Sequence, residues 1–199
     1  DALAAASDQK SLAFMSSPMT GQRSALVSQF LSRFGAPSSI EFETLSDQIL
    51  RRANLRSFGF EQLPTLDLAN TRYILSFGAD FLGTWNSPVA QSVGFGERRQ
   101  GHPGQRGKFV QFEPRMSMTG ANADEWIPTQ PGTDGIVALG LAHVILRDKL
   151  RTDAGRAGAQ IAGWAGGLAE YTPEEVEKRT GVSKEKIERI AHEFAAHQP

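Results

Sequence analysis

The sequence predicts a three-layer α/β domain with a mainly parallel sheet and a C-terminal helix hairpin. Short β-rich runs, such as Tyr73 to Phe77 and Lys108 to Phe112, are separated by segments long enough to form helices. A parallel strand pair needs a long crossover, usually a helix, so this alternation favours a parallel, Rossmann-like sheet. The final stretch, 171–199, instead carries two helix patterns in succession, which predicts the hairpin.

Length and composition predict one main domain. A chain of 199 residues with 40% hydrophobic content can bury one sizeable core. We expect the α/β domain over residues 1–150, a Gly/Ala-rich connection over 151–170, and the hairpin over 171–199, packed on or beside the domain. The net charge of -1 offers no large basic field, so non-specific nucleic-acid binding is disfavoured.

The absence of cysteine excludes several kinds of site from this chain. It allows no disulfide framework, no thiolate zinc site and no ligand set for an iron–sulfur cluster. The longest apolar segment, Ile136 to Leu146, is too short for a bilayer span, so no direct membrane span is expected. The run from Asp1 to Ala6 lacks a basic n-region and is not an intact signal peptide, although a cleaved leader stays open.

Apolar periodicity and turn residues place the elements of the first third. They predict strands at Ser11 to Met15 and Ile40 to Glu43. Helices are predicted from Thr20–Gly21 to Gly35 and from Leu45 to Asn54. A loop is predicted from Asn54 to Pro64, with its aromatic side chains, Phe58 and Phe60, packed inward.

The same signals define the rest of the chain. They predict strands at Tyr73 to Phe77, Lys108 to Phe112 and around Trp126. Between the first two strands they predict a short helix after Ser87–Pro88, interrupted by Gly94 and Gly96, and then a mobile basic loop from Arg98 to Gly107. After the third strand they predict a helix from Asp134 to Asp148 capped by Thr133, a weak helical piece around Ile161 to Trp164, and a hairpin whose helices begin at Thr172 and Ser183.

Three acids follow the predicted strands, at Asp80, Glu113 and Asp134. Ligands of open parallel sheets bind beyond the carboxyl ends of the strands, where these tips would gather. An ionised carboxylate can accept two hydrogen bonds from a ribose diol or from guanine, so the tips predict a nucleotide site. Asp134 also has a structural explanation, because an acid in the first turn of a helix complements its dipole.

Arginines near the predicted tips offer a second feature of the site. Arg98, Arg99, Arg106 and Arg115 could meet phosphate or an acidic partner surface, and a solvated loop is the alternative. The turn from Met19 to Ser24 could bind an anion at a helix start, but it lacks a phosphate-loop signature and an ordinary turn is favoured.

Other groups of residues give only weak indications of function. The stretch from Glu175 to Ile187 resembles a DNA-reading helix-turn-helix, yet acids dilute its second helix and a packing hairpin is favoured. The histidines show no i, i+4 pair and no nearby carboxylate pattern, so we predict no metal site, and His143 is interpreted as a core or interface residue. No nucleophile elbow or serine–histidine–aspartate order indicates a hydrolase.

One succession of short motifs resembles the molybdopterin oxidoreductases, which bind a molybdenum bis(guanine dinucleotide) cofactor. Its pieces are Glu113-Pro114-Arg115, Ala123-Asp124 and Pro131-Gly132-Thr133-Asp134, preceded by the strand and turn from Ile74 to Pro88 and followed by the hairpin. Each piece alone is weak, but their combined order is specific. The resemblance covers most of the chain.

A narrower resemblance points to the molybdopterin-like large subunits of menaquinone reductase and alternative complex III type complexes. Two stretches carry it, Gly78 to Val89 and Arg115 to Trp126. This resemblance implies a periplasmic or membrane-associated location on the outer face, with iron–sulfur and membrane subunits and the remaining domains of the same subunit as partners. Some members of that group keep the fold without the molybdenum cofactor.

The resemblance also assigns residues to the site. It implies that one guanosine end of the cofactor is lined by Gly78, Asp80, Glu113, Arg115, Gly132, Thr133 and Asp134. Three positions depart from the family's pattern: Asp80 stands where asparagine is usual, Ser87 where histidine is usual, and Glu113 where aspartate is usual. A negative charge at Asp80 would repel a pyrophosphate that it faced.

A candidate metal-ligand position follows from a further match. The segment Phe34 to Ser38 resembles the family's Tyr-Gly-Ser-Pro-Asn, and an ungapped count then places Ser46 where a cysteine ligates molybdenum in some members. Serine ligates molybdenum in other relatives, so Ser46 is the candidate catalytic residue. The alternative is that Ser46 caps a helix.

The sequence thus predicts a fragment of a molybdopterin oxidoreductase large subunit that holds one guanine-dinucleotide arm in an electron-transfer complex. The fragment alone would not be active, because the cofactor does the chemistry and the rest of the subunit completes its site. The alternatives are a cofactor-less scaffold in a quinone-linked complex, a stand-alone nucleotide-binding module and a DNA-binding protein.

Overall fold

A computed structural model describes residues 12–44, 46–100, 106–151 and 166–197, together with Ala2 and Ala5. The chain divides into two compact units, Asp1–Leu63 and Pro64–Pro199. The predicted division at residues 150 and 170 remains a prediction.

The first unit contains a two-stranded parallel sheet and two helices. Its elements are β1 (Met15–Ser16), α1 (Gly21–Arg33), β2 (Ile40–Glu41) and α2 (Gln48–Phe58). The predicted loop from Asn54 is wrong, because α2 continues until Gly59, where a left-handed backbone (φ 79°) ends it. The prediction that Phe58 and Phe60 pack inward is also wrong, since they are 72% and 69% exposed.

The second unit is built on a three-stranded parallel sheet. Its strands are β3 (Tyr73–Phe77), β4 (Lys108–Glu113) and β5 (Glu125–Pro128), with β4 in the centre. Phe77 is paired with Phe112, and Phe112 with Ile127, so the strands end at nearly the same level. These parallel strands confirm the α/β fold class that the sequence predicts.

Helices cover both faces of this sheet. On one face, Val110, Phe112 and Ile127 join a core with Val137, Leu141 and Val144 of α5 (Asp134–Arg147). On the other face, Ile74 and Phe109 pack with Phe81 and with Phe95 of α3 (Pro88–Arg99). Consecutive residues of a strand point to opposite faces, and this alternation divides the apolar side chains between the two cores.

Helix α3 corrects two predictions. It runs through Gly94 and Gly96 for 12 residues, so the expected interruption is wrong. Gly94 lies close to the loop before β3, where an added Cβ would be 3.4 Å from Leu68 Cβ, and close packing outweighs the low helix propensity of glycine. Arg98 and Arg99 belong to this helix rather than to a mobile loop, and residues 101–105 lie outside the described part.

The C-terminal hairpin forms as predicted and packs onto α5. Its helices are α6 (Pro173–Thr180) and α7 (Lys184–Ala195), preceded by a 3-10 helix, Ala169–Tyr171. Thr172 Oγ1 accepts a hydrogen bond from the Glu175 amide, and Val176, Ile187 and Ile190 are buried in the core shared with α5. The weak helical piece expected around Ile161 to Trp164 lies outside the described residues.

A network of charges joins α7 to the amino ends of the sheet. The first residues of the three strands, Tyr73, Lys108 and Glu125, contact Arg189 and Glu193 of α7. Glu193 accepts hydrogen bonds from Tyr73 Oη at 2.8 Å and Lys108 Nζ at 2.6 Å, and Arg189 reaches Glu125 at 2.6 Å. Among the described residues, no helix is long and apolar enough to cross a membrane.

Gly140 tests how tightly α5 packs against α6. A Cβ at this position would lie 2.8 Å from a methyl carbon of the fully buried Val176. We expect Gly140→Ala to lower the free energy of unfolding by roughly 1–3 kcal/mol, because overpacking strains the core. Gly96→Ala is the control, since nothing lies within 4 Å of its Cβ position. Urea denaturation should show Gly96→Ala neutral or stabilising by up to about 1 kcal/mol, and equal effects of the two substitutions would contradict this packing.

The depressed pKa of the Glu193 carboxyl makes the stability of the fold depend on pH. Burial acts to raise its pKa, but hydrogen bonds from Lys108, Arg189 and Tyr73 outweigh burial and lower the pKa from 4.5 to about 2. A carboxyl with a depressed pKa stabilises the fold above its unfolded value and loses that contribution as the pH falls through its folded value. We therefore expect stability to fall between about pH 4.5 and about pH 2, with a smaller slope in Glu193→Gln.

Glu185→Gln provides the matched control for this titration. Glu185 is exposed on the same helix, and no described residue forms an ion pair with it. Thermal unfolding across this pH range should give the control the slope of the unmodified protein. An unchanged slope in Glu193→Gln would show that the network does not link protonation to folding.

Candidate functional site

The carboxyl ends of β3, β4 and β5 meet at one edge of the sheet, as the sequence predicts for its three tips. The Gly78 amide donates to Phe112 O at 2.8 Å, which continues the pairing of β3 with β4 for one further residue. Gly78 has a left-handed backbone (φ 66°), so the chain turns sharply as it leaves β3. The segments that carry Asp80, Glu113 and Asp134 all begin at this edge.

Asp80 is held by hydroxyl and amide donors of the protein itself. Its Oδ1 accepts from Thr119 Oγ1 at 2.6 Å and from the Thr119 amide at 3.3 Å, and its Oδ2 accepts from Thr84 Oγ1 at 3.3 Å. The hydrogen bond from the Thr119 hydroxyl is the main reason that the pKa of Asp80 lies below its ordinary value. Asp80 is therefore ionised and directed at Thr119.

Glu113, at the end of β4, also binds donors of the protein itself and is more deeply buried than Asp80. It is 4% exposed, and its Oε1 accepts from the Ser117 amide at 2.6 Å while its Oε2 accepts from Gln111 Nε2 at 3.1 Å. A Cβ on Gly120 would collide with this carboxylate. Glycine at position 120 is thus required for the buried position of Glu113.

Asp80 and Glu113 together fix one short segment. This segment is Ser117 followed by α4 (Met118–Ala121), and Ser117 Oγ also accepts from the Gly120 amide at 3.1 Å. The amides of Ser117 and Thr119 would otherwise be unsatisfied donors at the start of α4. The two acids therefore act as internal acceptors, a role that strand and turn patterns did not reveal.

Asp134 lies at the other side of the edge, in the first turn of α5. Its Oδ1 accepts from Thr129 Oγ1 at 3.2 Å, and its Oδ2 lies 3.6 Å from the Cβ position of Gly78. Thr133 occupies the N-cap position of α5, but its hydroxyl donates to Gln130 O at 2.7 Å instead of capping the helix. Gly132, with φ 76°, forms the exposed turn before it.

The four arginines predicted near this edge do not gather there. Arg98 is 4% exposed and donates to Thr71 O and Lys108 O, near the amino ends of β3 and β4. Arg99 and Arg106 pair with Asp124, which also accepts from the Phe109 amide. The prediction is wrong for these three because α3 returns the chain to the amino edge of the sheet.

Arg115 is the exception among these arginines. It follows Glu113 by two residues, at the carboxyl edge, and its side chain is exposed. No described residue forms an ion pair with it. Of the predicted site residues, Gly78, Arg115 and Gly132 are thus exposed and Asp134 is partly exposed. Asp80 and Glu113 instead accept hydrogen bonds from neighbouring segments of the protein.

Ser46 belongs to the first unit. Its side chain is exposed, and its Oγ accepts from the Gln48 amide at 3.2 Å, next to the start of α2. The N-cap residue of α2 is Asp47, so Ser46 supports the start of the helix through this hydrogen bond without being the cap that the sequence offered as the alternative. Its role as a molybdenum ligand remains a prediction.

Two further features lie away from the carboxyl edge. An apolar groove of about 480 Å³ runs beside β3, lined by residues of β3 and α5 such as Leu75 and Leu141. His143 Nδ1 lies 2.8 Å from Gly167 O, which agrees with its interpretation as a satisfied core or interface residue.

A cluster of ligand-type side chains, which was not predicted from the sequence, lies at the end of α5. His192 Nε2 lies 2.9 Å from Asp148 Oδ2, and Glu188 stands one turn before His192 on α7. Hydrogen bonds from Arg147 are the main reason that the pKa of Asp148 falls to about 2. Glu188 and His192 have i, i+4 spacing, which was a sequence signal, but the contribution of Asp148 depends on tertiary packing.

Comparison with known proteins gives consistent relatives. The chain is 26% identical over 195 residues to the menaquinone reductase molybdopterin-binding-like subunit of Nitratidesulfovibrio vulgaris. The aligned region covers 98% of this chain and 27% of that protein. It is 30% identical over 170 residues to the arsenate respiratory reductase molybdopterin-containing subunit of Shewanella sp., covering 72% of this chain and 19% of that protein. No family model matches the chain.

Another relative and a solved structure extend this result. The thiosulfate reductase molybdopterin-containing subunit of Salmonella typhimurium is 32% identical over 143 residues, covering 67% of this chain and 17% of that protein. Acetylene hydratase from Pelobacter acetylenicus superposes with a TM-score of 0.73 at 20% identity, covering 100% of this chain and 28% of that structure, which shows a shared fold.

The chain therefore spans about a quarter or less of the length of these relatives, from 17% to 27% of the curated proteins. The match to the Nitratidesulfovibrio vulgaris subunit covers 98% of the chain, and so includes the parallel sheet and its carboxyl-edge tips. These likenesses and the fold together show that the chain belongs to the molybdopterin oxidoreductase family.

Proposed function

We propose that the chain is a region of a molybdopterin oxidoreductase large subunit that holds one guanine-dinucleotide arm of a molybdenum cofactor in an electron-transfer complex. The observation that carries this proposal is the common ending of β3, β4 and β5, next to Gly78, Arg115 and Asp134. Ligands of open parallel sheets bind at such edges. The family relation supplies the chemical class of the ligand.

The groups available at this edge fit a guanine nucleotide. Asp134 offers carboxylate oxygens that can accept from the N1–H and amino group of guanine or from a ribose diol. Arg115 offers a guanidinium that suits phosphate. The start of α5 follows the end of β5 closely in the chain, and a helix start offers N–H groups and a positive dipole end that suit an anion. The cofactor would supply the redox chemistry, and these residues would bind and orient it.

Asp80 and Glu113 act as positioning residues in this proposal. They bind the segment from Ser117 to Thr119, and Arg115 lies between that segment and the end of β4. Three internal hydrogen bonds direct the Asp80 carboxylate at Thr119 and Thr84, so this proposal does not require it to face a pyrophosphate. The resemblance assigned both acids to the ligand, and their internal contacts favour this indirect role.

Partners and location follow from the same relation. The remaining domains of the subunit would complete the cofactor site, with Ser46 as a candidate molybdenum ligand. Iron–sulfur and membrane subunits would exchange electrons with it, and the assembly would be periplasmic or bound to the outer face of a membrane. The relative named as a menaquinone reductase subunit supports this proposal.

A second candidate is a scaffold subunit that keeps the fold without the cofactor. The internal use of Asp80 and Glu113 favours it, because Glu113 is 4% exposed and both of its oxygens already accept hydrogen bonds. This leaves Asp134 as the available acid among the three predicted ones. The two candidates share a fold and differ in cofactor content.

Substitutions at Asp80 test its positioning role. We expect Asp80→Ala to lower the free energy of unfolding by about 1–3 kcal/mol, because the buried Thr119 hydroxyl and amide lose their acceptor. Asp80→Asn keeps one acceptor oxygen and should lose about half as much or less. Urea denaturation measures both effects, and a neutral Asp80→Ala would contradict the internal role.

Cofactor analysis of the full-length native subunit tests the proposed function. We expect molybdenum or tungsten, pterin and releasable guanosine monophosphate in the purified subunit. Arg115→Gln and Asp134→Asn should each weaken nucleotide retention by about tenfold or more, since each removes a charged hydrogen-bonding partner. Arg52→Gln is the control, because Arg52 is exposed on α2 and no described residue pairs with it.

The outcome separates the two candidates. Finding neither metal nor pterin in the native subunit would overturn the cofactor-holding function and leave the scaffold. Finding the cofactor at unchanged levels in both variants would show that the nucleotide binds elsewhere.

A further inference from the structure

We propose that Asp148, Glu188 and His192 form a binding site for a divalent transition metal ion, in which the Arg147 guanidinium serves as an exchangeable cation. The three side chains each offer one ligand atom, and these atoms lie within 4.8 Å of one another. The cluster stands at the C-terminal end of α5. It is independent of the proposed nucleotide site.

The separation of the ligand atoms suits a small metal ion. Tetrahedral zinc with nitrogen and oxygen ligands places its donor atoms about 3.3 Å apart, since the metal–ligand bonds are about 2.0–2.2 Å. His192 Nε2 and Asp148 Oδ2 are 2.9 Å apart. A shift of a few tenths of an ångström would convert this hydrogen bond into shared coordination.

Rigid elements hold these ligands in place. Glu188 and His192 lie one turn apart on α7, so they project from the same helix face. Asp148 follows α5 directly. Leu141 and Val144 of α5 share a buried core with Ile187 and Ile190 of α7, which fixes the two helices against each other.

Arg147 marks the position that a cation would take. Its Nη2 donates to Asp148 Oδ2 at 3.0 Å and to Glu188 Oε2 at 2.7 Å, between the two carboxylates. The guanidinium carries one positive charge against the two carboxylates, so it does not balance their negative charge fully. The Arg147 side chain is 42% exposed and can turn into solvent when a divalent ion binds.

The ligand types select the class of metal. Imidazole nitrogen suits zinc, copper and nickel, whereas magnesium prefers oxygen ligands in octahedral geometry. One histidine with two carboxylates also leaves a coordination position for water. Zn²⁺ is therefore the appropriate probe, and Mg²⁺ is the control ion.

Calorimetric titration of the folded chain with Zn²⁺ tests the site. We expect one saturable site in the unmodified protein and affinity higher by on the order of tenfold in Arg147→Ala, because a positive charge near the ion is removed. His192→Ala should abolish binding. His197→Ala should leave it unchanged, since His197 contacts the Glu193 carbonyl instead. Mg²⁺ should not bind at the same concentrations.

Several results would overturn the proposal. The proposal is wrong if Arg147→Ala shows no saturable Zn²⁺ binding. It is also wrong if His192→Ala still binds Zn²⁺. Circular dichroism of each variant before titration establishes that it is folded. If Glu188→Gln does not weaken binding, the site lies elsewhere. None of these outcomes depends on the nucleotide, so failure here and failure of the proposed function are distinguishable.

Discussion

The parallel register of the central strand is the constraint on which the second unit depends. Strand β4 is buried along nearly its whole length, and Phe109, Val110 and Phe112 are 0% exposed. Its two neighbours run in the same direction, so their carboxyl ends must meet at one edge and their amino ends at the other. A shift of one residue would exchange the apolar side chains between the two cores.

The two edges that result have different chemistry. At the amino edge, charged side chains pair with one another: Lys108 and Glu125 bind α7, while Asp124 binds Arg99 and Arg106. At the carboxyl edge, two acids bind backbone amides of the loop before β5, and Arg115 and Asp134 keep polar groups available. The first arrangement secures the hairpin and α3, whereas the second leaves groups that can bind a ligand.

Local sequence patterns predicted the parts of this fold that local interactions determine. The strands from Tyr73 and Lys108, the helix from Asp134 and the hairpin from Thr172 all have strong periodicity or capping signals. The length of α3 and the burial of Arg98 were not predicted, because each depends on contacts between distant segments. Phe58 was wrongly placed in a loop because α2 continues to that residue. The sequence predicted that the strand tips meet at one edge, as they do. The direction of the Asp80 and Glu113 side chains could not be predicted, because it depends on the positions of Thr119 and Ser117.

The central claim is that ligand binding at the carboxyl edge uses Arg115 and the start of α5, while Asp80 and Glu113 hold the neighbouring segment in place. Titration of the ¹⁵N-labelled chain with guanosine monophosphate, followed by backbone amide chemical shifts, tests it most directly. We expect saturable shifts at Gly78, Arg115 and Gly132 to Gly135, and we expect Asp134→Asn to remove them. Shifts confined to other surfaces, or none at millimolar nucleotide, would contradict it.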